Sequence, residues 1–268
     1  MPSLPEVAPP FLWTDAPFGP TLECRALPLS FRHFFSTRHL DLSVAASWEA
    51  VARSMGVEPG RVQRLTQVHG AAVVAIRRRD GWQAGPIPEA DALISDDPSM
   101  AIAVRGADCV PILLADTRTG AVGAVHAGWR GTAARVATSA LGAMATEFGT
   151  VPGDVIAVIG PAIGACCYEV GPELVDAFAS QGHERYLIDR WFLAPPPRRG
   201  ERARPKMRLD VAGSNRDQLI LAGVPEHAVH ACGLCTAMHL DVLTSFRAER
   251  EAAGRLVGVI RATPAVAG

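Results

Sequence analysis

The stretch MAIAVRGADCVPILLADTRTGAVGAVHAGWRGT, residues 100–132, decides how the rest of the chain is read. It holds three short apolar runs, at 100–104, 110–115 and 121–125, separated by Gly, Asp and Thr. Short runs of unbroken apolar residues are the pattern of strands buried on both faces. Such strands lie side by side in a sheet, so residues at their ends can converge although they are distant in sequence. Two metal-competent side chains occupy such ends: Cys109 before the second run and His126 after the third.

Toward the C-terminus, Thr132 is expected to cap a helix whose Val136, Ala140, Met144 and Phe148 recur every four residues, with Gly149 ending it. Residues 155–159 read as a further buried strand and 172–179 as a helix. A helix over 215–222 is closed by Gly223, and the Pro- and Arg-rich residues 191–206 read as an exposed loop. Toward the N-terminus, 62–68 and 71–76 are β-rich, with His69-Gly70 between them. Ser47 precedes a short helix with Trp48, Val51 and Met55 on one face, ended by Gly56. Strands and helices mingle without a strict βαβ rhythm. The expected fold is therefore α/β (α+β), a single-domain sandwich of mixed β-sheets with flanking helices. Residues 1–20 read as a Pro-rich lead-in and 21–268 as the one domain.

Composition narrows the function. The chain is 49% hydrophobic and 20% charged with a formal net charge of −1, an ordinary globular profile. A near-neutral charge removes the usual electrostatic case for nucleic-acid or membrane-surface binding. No apolar stretch approaches the ~20 residues that span a bilayer, and the N-terminus lacks the basic start and apolar core of a secretory signal. Six cysteines, two of them the neighbours Cys166 and Cys167, do not make a disulfide framework. The expected compartment is the reducing cytoplasm.

His69, Cys109 and His126 together offer two imidazoles and one thiol, spaced 40 and 17 residues apart. Three such donors fill three corners of a zinc tetrahedron and leave one open, which is the arrangement of catalytic rather than structural zinc. Taken singly, each has a blander reading: a buried Cys is most often a small hydrophobe, and a buried His a hydrogen-bonded core residue. Gly128 and Gly131 after His126 would let the backbone turn at a pocket. Asp108 could orient a ligand or act as a base, its plain alternative being a turn residue. Two rivals compete. His230, Cys232, Cys235 and His239 lie within ten residues and have the spacing of a compact structural zinc knuckle. A hydrolase using a Cys–His pair is the other, drawing on Cys109 or on Cys166-Cys167 after a Gly-rich turn.

Several strings carry a family resemblance. They are Gln67-Val68-His69-Gly70, Ala107-Asp108-Cys109-Val110-Pro111, Val125-His126-Ala127-Gly128-Trp129-Arg130 and Ile159-Gly160-Pro161 through Cys166-Cys167-Tyr168-Glu169-Val170. Leu209-Asp210-Val211 with Asn215, Gly223-Val224, Cys235-Thr236 and Ser245-Phe246-Arg247 follow in consistent order. Together they resemble the YfiH-like, laccase-domain purine nucleoside phosphorylase family, from about Phe35 to about Gly254. The resemblance implies a single-domain α/β fold and zinc held by His69, Cys109 and His126. It also implies phosphorolysis of adenosine, inosine, guanosine and methylthioadenosine, with deamination of adenosine. One departure is visible: Phe35-Ser36-Thr37-Arg38 continues as His39-Leu40-Asp41-Leu42-Ser43, without the Gly pair usual in that family.

Phosphorolysis needs cations to hold phosphate beneath the sugar, and the planar guanidinium suits that task. Arg38, Arg130 and Arg247 are the candidates, as the arginines inside family-like motifs. Zinc supplies Lewis acidity or an acidified water, and the latter serves deamination, with Asp108 as proton carrier. The His-x-Glu and Pro-Cys-x-x-Cys pair of the known zinc deaminases is missing, so deamination would use another frame. A copper phenol oxidase needs clustered imidazoles, and no two of the eight His are separated by a single residue. A non-enzymatic zinc-stabilised module is the remaining alternative.

Overall fold

The computed structural model describes residues 4–81, 85–193 and 207–263. Its first strands are β1 (Phe11–Ala16), β2 (Gly19–Cys24), β3 (Phe31–Ser36), β4 (Val62–Gln63) and β5 (Val73–Ile76). Then come β6 (Ala92–Ser95), β7 (Ala101–Gly106), β8 (Val110–Asp116), β9 (Val122–Ala127) and β10 (Val155–Ile159). Last are β11 (Glu169–Val170), β12 (Phe192–Leu193), β13 (Met207–Leu209), β14 (Val229–Ala231) and β15 (Leu256–Ala262). The helices are α1 (Ala45–Met55), α2 (Trp129–Ala133), α3 (Val136–Phe148), α4 (Glu173–Ser180), α5 (Arg185–Trp191), α6 (Val211–Leu221) and α7 (Phe246–Glu249). None is long and apolar enough to cross a membrane among the described residues.

Two six-stranded sheets dominate, in the orders β1-β2-β3-β15-β7-β4 and β14-β10-β8-β9-β6-β5. Both are antiparallel inside. Parallel pairs lie at the margins, β4 on β7 in the first sheet, β5 on β6 and β14 on β10 in the second. The mixed-sheet sandwich expected from the sequence is what forms.

The continuous apolar runs are explained by burial on both faces. Leu113 and Ala115 of β8 share a cluster with Phe35, Ile102, Val104 and Ile260 of the first sheet. Their neighbours Ile112 and Leu114 share another with Val136, Ala140 and Met144 of α3. On the far side of the first sheet, Ala101, Ala103 and Val257 pack with Val51 and Met55 of α1. The order of layers is thus helix, sheet, sheet, helices. The chain crosses between the sheets at two places that matter below: from β4 to β5, the loop carrying His69, and from β7 to β8, the turn carrying Cys109.

Some elements differ from the sequence reading. Residues 11–20, read as the end of the lead-in, belong to the β1–β2 hairpin, paired from Phe11↔Cys24 to Ala16↔Gly19. β1 itself holds no proline: Pro17 falls in the turn, and Pro20 lies near the start of β2, ahead of the Thr21↔Ser36 pair with β3. Thr132 does not cap a long helix. It lies inside α2, and Arg135 at φ 59° breaks the chain before α3 starts. The Thr132 hydroxyl and carbonyl instead accept from Asn215 Nδ2 (2.8 Å) and Gln218 Nε2 (3.0 Å) of α6. That helix begins earlier than expected, capped by Asp210, whose side chain accepts the Gly213 N–H at 2.9 Å. Ser47 likewise falls inside α1, whose cap is Val44. Of the loop expected at 191–206, Trp191 and Phe192 are buried in α5 and β12, and 194–206 lie outside the described residues.

Gly160, just after β10, is a point of close approach between the sheets. A Cβ there would overlap the fully buried Phe35 ring of β3, with Cζ at 2.8 Å. Gly160→Ala is expected to lower stability by ~1–3 kcal/mol through overpacking. Urea unfolding should give a reduced midpoint with an unchanged slope.

Candidate metal centre and its cavity

Strand register brings the donors together. In the β8–β9 pair Pro111 lies opposite His126, so Cys109, two residues before Pro111, sits beside the end of β9. In the β6–β9 pair Ala92 lies opposite Val125, which sets Asp91 next to His126. The ligand atoms of His69, Cys109 and His126 all lie within 4.8 Å of one another. The two imidazole rings meet edge to face, 4.9 Å between centroids and 80° between planes. His126 is buried, Cys109 half-buried and His69 exposed, so the group opens to one side.

Asp91 was not singled out in the sequence, yet it organises the centre. It is wholly buried and accepts the backbone N–H of His69 (3.0 Å) and of Gly70 (2.6 Å). The same carboxylate lies 2.8 Å from His126 Nδ1. With Nδ1 engaged, His126 has Nε2 left for an ion, the carboxylate–histidine relay that fixes ligand orientation in metal sites. The signal for Asp91 in the sequence is a charge at the head of the apolar run 92–94.

Electrostatics favour a cation. Burial alone would push the Cys109 thiol up, but hydrogen bonds and charge from His126 and His69 bring it down to about 7. Burial would lower His126, but Asp91 and Cys109 outweigh it and raise the imidazole to about 9. The chain thus prepares a thiolate beside a proton that an ion would displace. The space is fitted as well: a Cβ on Gly128 would come 2.9 Å from Cys109 Sγ and 3.1 Å from His69 Cδ2. Two imidazoles and a thiolate around an open side suit a borderline-soft divalent ion.

These donors lie in a cavity of about 730 Å³, whose lining includes Arg105, Arg130, Arg247, Arg250 and Arg255 against one carboxylate, Asp108. None of these five arginines is in an ion pair among the described residues. Arg130 stacks over the Trp129 ring at 4.4 Å, and Arg247 over Tyr168 at 5.1 Å. Arg105 is half-buried, and burial together with Arg64 and Arg255 lowers its pKa. A desolvated guanidinium surrounded by its own charge sign is a receptor for an anion.

The expected site residues are therefore not all in one place. His69, Cys109, His126, Asp108, Arg130 and Arg247 line the cavity, whereas Arg38 does not. Arg38 donates to Glu249 Oε1 at 3.0 Å and to the Leu240 carbonyl, which ties the segment after β3 to α7 and to the loop before it. Asp108, at φ 87°, accepts from the Thr236 hydroxyl and from the Arg247 backbone N–H, both at 2.6 Å. The knuckle suggested at 230–239 does not assemble among the described residues: Cys235 sits instead with Cys166 and Cys167. Sequence reading also passed over Arg105, Arg250, Arg255 and Tyr168 as lining residues.

The family described as multi-copper polyphenol oxidoreductase laccase matches residues 33–263. A purine nucleoside phosphorylase of Streptomyces coelicolor is 37% identical over 81% of this chain and 82% of its own length. The chain belongs to the YfiH-like laccase-domain family of purine nucleoside phosphorylases. Another member, a purine nucleoside phosphorylase of Bacteroides thetaiotaomicron, is 38% identical over 63% of this chain, a match spanning 60% of that protein. An adenosine deaminase from an unknown prokaryotic organism is 33% identical over 65% of each chain. The crystal structure of the Bacillus licheniformis protein YfiH aligns with a TM-score of 0.81, at 28% identity, over 95% of this chain and 99% of that one. The copper in the family's description meets few imidazoles here. Among the described residues only two groups of three or more potential ligands occur, and His appears in one of them.

Asp91→Asn keeps the size but weakens the charged partner of His126. Metal affinity should fall by roughly 10–100-fold, as is usual for such second partners, read by competition with a chromophoric chelator. Gly128→Ala should displace Cys109 or His69, and the purified variant should carry less than half the metal of wild type by elemental analysis.

Proposed function

We propose that this chain is a zinc-dependent purine nucleoside phosphorylase that also deaminates adenosine. The observation that carries the reading is one cavity with a His69–Cys109–His126 centre and a wall of five arginines. The names of the relatives supply the substrate class. The nucleosides are adenosine, inosine, guanosine and methylthioadenosine. With phosphate they would yield the free purine and ribose 1-phosphate, or methylthioribose 1-phosphate.

The chain's own groups have separable tasks. Arg130 and Arg247, held over aromatic rings, bind phosphate in a fixed orientation, and Arg105 and Arg255 add positive charge to the same cavity. Trp129, Tyr168 and Phe246 give apolar surface for the purine and sugar. Burial pushes the Tyr168 hydroxyl up to about 12, with Cys109 and Asp108 adding to it, so it stays a donor at neutral pH. Asp108 is the lining carboxylate available to move a proton in deamination, while its bonds hold Thr236 and Arg247 in register. Zinc, when bound, supplies Lewis acidity at the open side of the centre. The reducing cytoplasm remains the expected compartment.

Release of hypoxanthine from inosine should require phosphate and fall to background in His126→Ala. Arg130→Ala should raise KM for phosphate about tenfold or more, the worth of a charge-assisted hydrogen bond. Phosphate-independent hypoxanthine release would refute phosphorolysis. Adenosine should also give ammonia without phosphate, and its absence would remove the deaminase half. In the Cys–His hydrolase alternative, metal-free protein would stay active and Cys109 would alkylate during turnover.

A further inference from the structure

A second group of donors lies outside the centre described above. The Sγ atoms of Cys166, Cys167 and Cys235 are all within 4.8 Å of one another, drawn from two distant segments. The bridge Ala162↔Cys235 brings those segments side by side. The Gly164 N–H donates to Cys235 Sγ at 3.2 Å, a contact that stabilises negative charge on sulfur. Gly164 also leaves room for the group, since a Cβ there would lie 3.2 Å from Cys166 Sγ and 3.3 Å from Cys235 Cβ. The trio runs from exposed (Cys166) through half-buried (Cys167) to buried (Cys235), so an ion could enter from solvent.

We infer that Cys166, Cys167 and Cys235 form a second metal site, which takes one soft monovalent cation of the Cu(I) class through three thiolates. Thiolate-only sets of low coordination number select soft ions, whereas a closed zinc site needs a fourth ligand. Binding breaks three S–H bonds and forms three sulfur–metal bonds, with three protons going to solvent. No electron moves, because the ion enters already reduced. This site differs in its ligand set from a multicopper oxidase centre, since it contains no imidazole. It adjoins the cavity through Tyr168, which follows Cys167, and Thr236, which follows Cys235 and bonds to Asp108.

The test is anaerobic titration of the purified protein with Cu(I) against bicinchoninate. Wild type should hold one equivalent that His126→Ala keeps and that Cys166→Ser weakens at least tenfold. X-ray absorption at the copper edge should show a shell of three sulfurs and no nitrogen. Cys166 is exposed, so its serine variant is expected to fold, and Cys235→Ser provides a second, buried variant. The proposal is overturned if no Cu(I) survives the chelator, or if retention is lost in His126→Ala but intact in Cys166→Ser. A disulfide within the trio of the isolated protein, seen by non-reducing peptide mass analysis, would overturn it too.

Discussion

The carboxylate of Asp91 is the contact on which the centre depends. A buried carboxylate is costly unless its oxygens are bonded. Here both are, by two consecutive backbone N–H groups and one imidazole nitrogen. Burial would raise its pKa, but these bonds outweigh that and keep it ionised. The same bonds fix the backbone of one donor segment and the ring of another. His69 is held at φ 62°, a conformation uncommon without glycine, and it persists because Asp91 grips its N–H and the next. Gln67 completes the hold: its side-chain amide exchanges two hydrogen bonds with the Arg105 backbone of β7, at 2.6 and 2.8 Å.

Asp108 does for the cavity what Asp91 does for the donors. Its side chain joins Thr236 to the first turn of α7, and its carbonyl accepts the Ile163 N–H at 2.9 Å. Four segments far apart in the chain thereby meet within a few ångströms of Cys109. The arginines then arrive on walls already fixed by these bonds, which limits the reorganisation an anion would require.

How much of this the sequence revealed depends on the kind of signal. The strands around residues 100–127 were legible because burial on both faces leaves an unbroken apolar run. The convergence of His69, Cys109 and His126 was legible because two imidazoles and a thiol stand at the ends of such runs. Asp91 was not, since an acid before a strand reads as a turn until its partners are known. Arg38 pairs with Glu249 rather than lining the cavity, and a family-like motif says where a residue stands in the chain, not which way its guanidinium extends. The start of α6 was obscured for a physical reason: its buried face is mixed, with Ser214, Asn215 and Gln218 bonded toward Thr132 and the cap between buried Val211 and Leu219, so no continuous apolar stripe marks it. Cys235 appeared to belong with Cys232 because they are close in sequence. In space Cys232 packs with the inter-sheet core, while Cys235 bridges to residue 162.

The position of His69 and Cys109 on two of the crossovers between the sheets has a thermodynamic consequence. On the proposed reading, an ion shared by those loops would tie one layer of the sandwich to the other and favour the folded chain. Mass action then adds ~4 kcal/mol to stability when free ion stands a thousandfold above its dissociation constant. That is a large share of the 5–15 kcal/mol a native domain has. On that reading, metal scarcity would shorten the lifetime of the folded chain against proteolysis, so that ion supply would govern abundance as well as chemistry.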